Sequence, residues 1–227
     1  MLQDISQKFA GGCMMLVRKK ENAVVFLGTA FLMHDDGYLL TAAHLMQDDP
    51  EGLMVVRGVN PDDFVPISLD TVSAMSVSVS AVDEVHNVAL LEIDRNLHIN
   101  TPDHLAGTME NLNIGTSLLC IGFPFGQDEM YNLTAQSAIL SSKVRSKNRT
   151  KLLLFDTMVS DGMAGSPLVS TEDGRAIGIV IGRFTPVEDG GDFARGKGHP
   201  GYDSQISYAV SIDYGIALMN SLNLEVS

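Results

Sequence analysis

Met75-Ser76-Val77-Ser78-Val79-Ser80-Ala81 alternates an apolar residue with serine at every step. A period of two places the four apolar side chains on one face of an extended strand, whereas a helix needs a period of 3.6. The rest of the chain repeats this signature in shorter form. Apolar runs at Cys13 to Val17, Ala23 to Leu27, Leu53 to Val56, Val88 to Ile93, Leu118 to Ile121, Leu152 to Phe155 and Ile177 to Ile181 are too short for ordinary helices and suit strands. Asp36-Gly37 and Glu172-Asp173-Gly174 separate apolar pairs and supply the positive φ of tight hairpin turns. Many short strands with frequent turns indicate a β-sandwich or barrel, and 227 residues make one large domain or two small ones.

One helix is expected at the C-terminal end. Ser211 caps it, Asp213 lies in its first turn, and Ile212, Ile216, Met219 and Leu222 fall near one face. Asn96 to Asn113 reads as a link between two halves, and Thr185 to Gln205, rich in Gly and Asp, as a long surface loop.

Composition narrows the function classes. Lys plus Arg is 15 and Asp plus Glu is 28, a formal charge of −13, which argues against nucleic acid or anionic membrane as the main partner. Apolar residues are 45% of the chain, and no apolar run approaches the roughly 18 residues of a membrane span. Two cysteines, Cys13 and Cys120, exclude a disulfide-rich scaffold, and no Cys/His cluster has zinc spacing. The N-terminus carries Asp4 where a secretory signal has its apolar stretch, so Ala10-Gly11-Gly12-Cys13 is not read as a lipoprotein box. The expectation is a cytoplasmic chain with free thiols, or a periplasmic or secreted one if a signal was trimmed. Asn132-Leu133-Thr134 and Asn148-Arg149-Thr150 match a glycosylation pattern that only a secreted chain uses.

Two segments carry chemistry. Gly28-Thr29-Ala30-Phe31, the Asp36-Gly37 hairpin and Thr41-Ala42-Ala43-His44 form one, and Gly162-Met163-Ala164-Gly165-Ser166-Pro167-Leu168 forms the other. They resemble the histidine region and the nucleophile loop of chymotrypsin-like serine proteases. Gly122-Phe123-Pro124-Phe125-Gly126, Ala138-Ile139-Leu140-Ser141, Ala176-Ile177-Gly178-Ile179 and Tyr208-Ala209-Val210 extend the resemblance to the HtrA/Deg branch, from about Phe9 to Leu222. The resemblance implies an all-β fold of two antiparallel six-stranded Greek-key barrels with the site between them. The expected division is residues 10–100, 112–210 and a terminal helix over 211–224. It implies no metal or organic cofactor.

In such a site a serine attacks the peptide carbonyl, a histidine takes its proton, a carboxylate orients the imidazole, and two backbone N–H groups stabilise the oxyanion. The resemblance gives His44 the base position and Gly162 and Ala164 the oxyanion donors. The nucleophile position, however, holds Ala164, whose methyl group cannot attack. Ser166 lies two residues on, where the family often has a small residue, and is disfavoured as a substitute. The orienting Asp is replaced as well: in His86-Asn87-Val88-Ala89-Leu90-Leu91 the position falls on Asn87. An amide accepts through its oxygen but carries no charge and allows the wrong tautomer. The same swap in a related protease lowers kcat about 10⁴-fold. Asp83 and Glu84 are expected to be solvated acids at a strand end.

The resemblance places the specificity pocket between Met158 and Val159 on one side and Ile181, Gly182 and Arg183 on the other. No acid marks its base, so a small or medium apolar side chain fits better than Lys or Arg. An acidic side chain facing Arg183 is the second option. The reading is a serine endopeptidase domain that acts on a polypeptide or unfolded protein, silent in this form because of Ala164, with homo-oligomerisation left open. The intact nucleophile loop favours an engineered Ser→Ala change over a natural pseudoprotease that binds without cutting; Asn87 weakens that preference and is either a second engineered change or native variation.

Overall fold

The computed structural model describes residues 2–21, 23–46, 50–58, 64, 66–67, 73–94, 99–110, 112–184 and 204–225. Two closed antiparallel barrels of six strands each make up the body. The first contains β1 (Cys13–Lys20), β2 (Ala23–His34), β3 (Tyr38–Ala42), β4 (Leu53–Arg57), β5 (Ala74–Asp83) and β6 (Val88–Ile93), in the order β1-β2-β3-β6-β5-β4. The second contains β7 (Ser117–Gly122), β8 (Thr134–Arg145), β9 (Lys151–Phe155), β10 (Pro167–Ser170), β11 (Arg175–Arg183) and β12 (Ser207–Ser211), ordered β10-β11-β12-β9-β8-β7. Closure leaves neither sheet with an edge strand, although β11 runs on to Arg183 beyond its pairing with β10, which ends at Ile179. The architecture is the chymotrypsin-like fold expected from the sequence.

Period two explains how the barrels fill and how they meet. On β7, Leu118 and Cys120 belong to the core of the second barrel, while Leu119 and Ile121 belong to the larger cluster that also contains the first barrel's interior. A strand buried on both faces reads as an unbroken apolar run, as Leu118 to Ile121 does. Both thiols are fully buried, and burial raises the pKa of each, Cys120 to about 12.

The predicted hairpins form, with Gly37 at φ 85° and Gly174 at φ 66°. The helix α2 (Ile212–Ser221) follows β12, and Ser211 Oγ accepts the Asp213 N–H at 3.3 Å. Its buried face is Ile212, Gly215 and Met219. Leu222 is 39% exposed and does not share that face as expected, because the helix has ended before it. A side chain at position 215 would collide with Leu40, so glycine lets α2 lie directly on β3 of the first barrel.

A helix not anticipated from the sequence, α1 (Leu2–Ala10), buries Ile5 and Phe9, and Lys8 donates to the carbonyls of His104 and Gly174 at 3.1 and 3.2 Å. The expected link across 96–113 is partly described. Thr101 donates its N–H to Asp35 at 2.8 Å, and Gly107 donates to Ala176 at 2.8 Å, so the link adheres to both barrels. The expected loop Thr185 to Gln205 lies outside the described residues except for its last two positions. Among the described residues, no helix is long and apolar enough to cross a membrane.

Candidate active site

The site forms where β2 runs between two other segments. Thr41, near the end of β3, donates its hydroxyl to the Thr29 carbonyl at 2.7 Å, and the chain then makes a 3-10 turn, Ala43–Met46, that presents His44. From the other side, the Thr29 N–H donates to the Ala164 carbonyl at 2.9 Å. Thr29 Oγ1 donates to the Gly162 carbonyl at 2.9 Å and accepts the Phe123 N–H at 3.2 Å. A Cβ at Gly165 would overlap the Thr29 carbonyl and the Thr41 hydroxyl. The Thr-Ala-Ala-His segment and the Gly-rich loop therefore meet across Gly28 and Thr29. Sequence reasoning quoted Thr29 only as part of a motif; its hydroxyl proves to be the rivet between the barrels.

Asn87 closes the β5–β6 turn in the left-handed region, φ 60°, a conformation Asn tolerates better than most residues. Its side-chain oxygen accepts the backbone N–H of His44 at 2.8 Å, and its own carbonyl accepts the Ala43 N–H at 3.2 Å. The His44 N–H can only donate, so it identifies which end of the amide is oxygen. That leaves the amide nitrogen 2.9 Å from His44 Nδ1, with the oxygen at 3.2 Å from the same atom. Burial lowers the pKa of His44, and the Asn87 contact only partly opposes this.

The loop preceding β10 is bonded at nearly every step. Met163 N–H donates to Ser160 at 3.1 Å, Gly165 N–H to Val180 at 2.8 Å, and Ser166 N–H to Met163 at 3.1 Å. Gly162 and Gly165 stand at φ 97° and 85°, and a Cβ at Gly162 would overlap the Phe123 carbonyl oxygen. Within this loop the N–H groups of Gly162 and Ala164 meet no acceptor among the described residues. Both residues are half-buried. The pair is thus available to an oxyanion. Ser166 is fully buried with its hydroxyl unpartnered, against the backbone of Gly122, so it cannot serve as a surface nucleophile.

Of the five expected pocket residues, Met158 is 45% exposed and Gly182 and Arg183 are half-buried, while Val159 and Ile181 are each 2% exposed. The Val159 N–H donates to Ser207 Oγ at 3.0 Å. Arg183 stands 3.8 Å from the exposed Asp161, a residue the sequence reading did not single out. Asp83 departs from expectation. It is half-buried and receives both the N–H and the Nδ1 of His86, at 3.0 and 2.6 Å, while Glu84 is exposed as expected.

A family model described as a trypsin-like peptidase domain matches residues 28–179. A probable periplasmic DegP-like serine endoprotease of Halomonas elongata is 29% identical over 199 residues, covering 86% of this chain and 35% of that protein. Its counterpart in Pseudomonas fulva is 30% identical over 190 residues, covering 82% and 33%. The chain thus spans about a third of the length of these curated relatives. In fold, it is similar to the HtrA-type protease AlgW solved with a decapeptide, with TM-score 0.69 and 20% identity, covering 98% of this chain and 67% of that one.

Proposed function

The chain belongs to the trypsin-like peptidase domain family, and we propose that it is an HtrA-like serine endopeptidase domain held silent by Ala164. The observation that carries this reading is the convergence on Thr29 of the His44 turn and a loop offering two unengaged N–H donors. His44 occupies the base position, Asn87 the orienting position and Ala164 the nucleophile position. In a serine-bearing form, the hydroxyl attacks a peptide carbonyl, His44 takes its proton, and the N–H groups of Gly162 and Ala164 hold the oxyanion.

A second reading has its own support. Asn87 removes the charge that stabilises an imidazolium, although Ala164 alone already abolishes attack. Two changes where one suffices favour a domain that binds polypeptide without cutting it. Loss of the hydroxyl removes neither the oxyanion donors nor the pocket walls. Extended peptide would pair along the β11 strand beyond Gly178, with one apolar side chain near Met158 and Val159. AlgW, solved with a decapeptide, lends this support. The relatives' names favour an exported location over the cytoplasmic one.

Titration of an extended-peptide library against this chain and its Met158→Arg variant tests the binding. The expected result is modest affinity that Met158→Arg weakens, because ordering a peptide costs entropy. Equal binding by both would remove Met158 from the pocket.

A further inference from the structure

We propose that His86 is a positioning residue, which ties the Asn87–His44 pair to the C-terminal helix; the inference rests on reading His44 as the base position. Three contacts converge on it. Its Nδ1 lies 2.6 Å from Asp83 Oδ2, and its backbone N–H donates to Asp83 Oδ1 at 3.0 Å. A carboxylate can only accept, so Nδ1 carries the proton, and the paired bonds fasten both ends of the turn to each other. The imidazole face then stacks on Tyr214 of α2, with centroids 3.8 Å apart and planes 11° from parallel.

Tyr214 is itself held. Its hydroxyl accepts the Lys151 N–H at 2.8 Å, and Lys151 Nζ reaches Asp213 Oδ2 at 2.7 Å. A fourth contact reaches the same turn from the second barrel: Asn148 Nδ2 donates to the Val85 carbonyl at 3.1 Å. The residue after His86 is Asn87, in its left-handed conformation, and Asn87 Oδ1 is the acceptor for His44. A turn carrying a residue at positive φ stays in place only where its surroundings over-determine it. Here the first barrel supplies Asp83, and α2 and the β8–β9 turn supply the rest. The path from α2 to His44 is therefore short and made of contacts: Tyr214, His86, the peptide bond to Asn87, then His44.

The test uses the chain as it stands, with Ala164 in place, and needs no hydrolysis. Two variants release the turn at different contacts: His86→Phe keeps an aromatic face for Tyr214 and the backbone bond to Asp83 but loses the ring bond, and Tyr214→Leu removes the stack. The readouts are the imidazole nitrogen NMR shifts of His44 and hydrogen exchange of its backbone amide. Both variants are expected to move the His44 nitrogen shifts and to speed exchange of its amide at least about tenfold, while amides in β6 keep their protection. The proposal fails if the His44 signals stay unchanged in both variants. It also fails if protection falls equally across β6, which marks a general loss of stability rather than positioning. A moved His44 signal together with an Ala164→Ser chain that never gains a reactive serine would reject the functional reading and leave the positioning role standing.

Discussion

Asn87 Nδ2 stands 2.9 Å from His44 Nδ1, closer than Asn87 Oδ1 at 3.2 Å. Both atoms lie within hydrogen-bond reach of Nδ1, so the amide serves either tautomer: its oxygen accepts an Nδ1–H, and its nitrogen donates to a bare Nδ1. Nε2 is the atom that must be bare to take a proton from a nucleophile. On the proposed reading, an amide at position 87 therefore permits the tautomer that carries its proton on Nε2, which a carboxylate would disfavour.

Replacing Asn87 by Asp should fix the productive tautomer. A carboxylate accepts from both the His44 N–H and Nδ1–H and stabilises the cation. On an Ala164→Ser background, Asn87→Asp is expected to raise kcat by orders of magnitude near neutral pH, up to about 10⁴-fold. Steady-state cleavage of an unfolded protein compares the two. An unchanged rate would assign the orienting role to another group.

The lowered pKa of His44 makes stability depend on pH. Burial disfavours the charged ring, so the unfolded chain, near 6.5, binds the proton first as pH falls. His44 therefore costs the fold stability as pH drops through and below 6.5, and the penalty vanishes above it. Urea denaturation at pH 7.5 and pH 5 should show a larger loss for this chain than for His44→Gln. Equal losses would mean that His44 is not the buried group responsible.

Ser166 offers a test of the loop. Its hydroxyl is fully buried without a partner, a condition that costs on the order of 1–3 kcal/mol. Ser166→Ala is expected to leave stability unchanged or raise it by about 1 kcal/mol, read from the denaturant midpoint. It should also leave intact any activity gained through Ala164→Ser. A loss of that activity in a folded variant would show that the loop needs the Ser166 hydroxyl.

The strands and the site were unequally legible in the sequence. Val88 to Ile93 matches β6 end for end, because buried strands announce themselves as short apolar runs bounded by turns. The helix α1 carries no such signal. Nine residues are marginal as a helix on their own, and α1 depends on docking Ile5 and Phe9, which only the assembled barrels provide. His44, Asn87 and Ala164 could be located from their motifs. The Thr29 rivet and the Asp83–His86–Tyr214 path could not, since they join residues 133 and up to 131 positions apart in ways that no local pattern encodes. Asp83 reads as a solvated acid because its bonds to His86 exist only once the β5–β6 turn has formed.

The most direct test of the central claim is labelling of residue 164 by a fluorophosphonate, read by mass spectrometry. The chain as it stands should take no label. Ala164→Ser combined with Asn87→Asp should acquire one adduct on residue 164, and His44→Ala on that background should abolish it. A double variant that is folded and binds peptide, yet stays unlabelled and cuts nothing, would contradict the account and leave only the binding role.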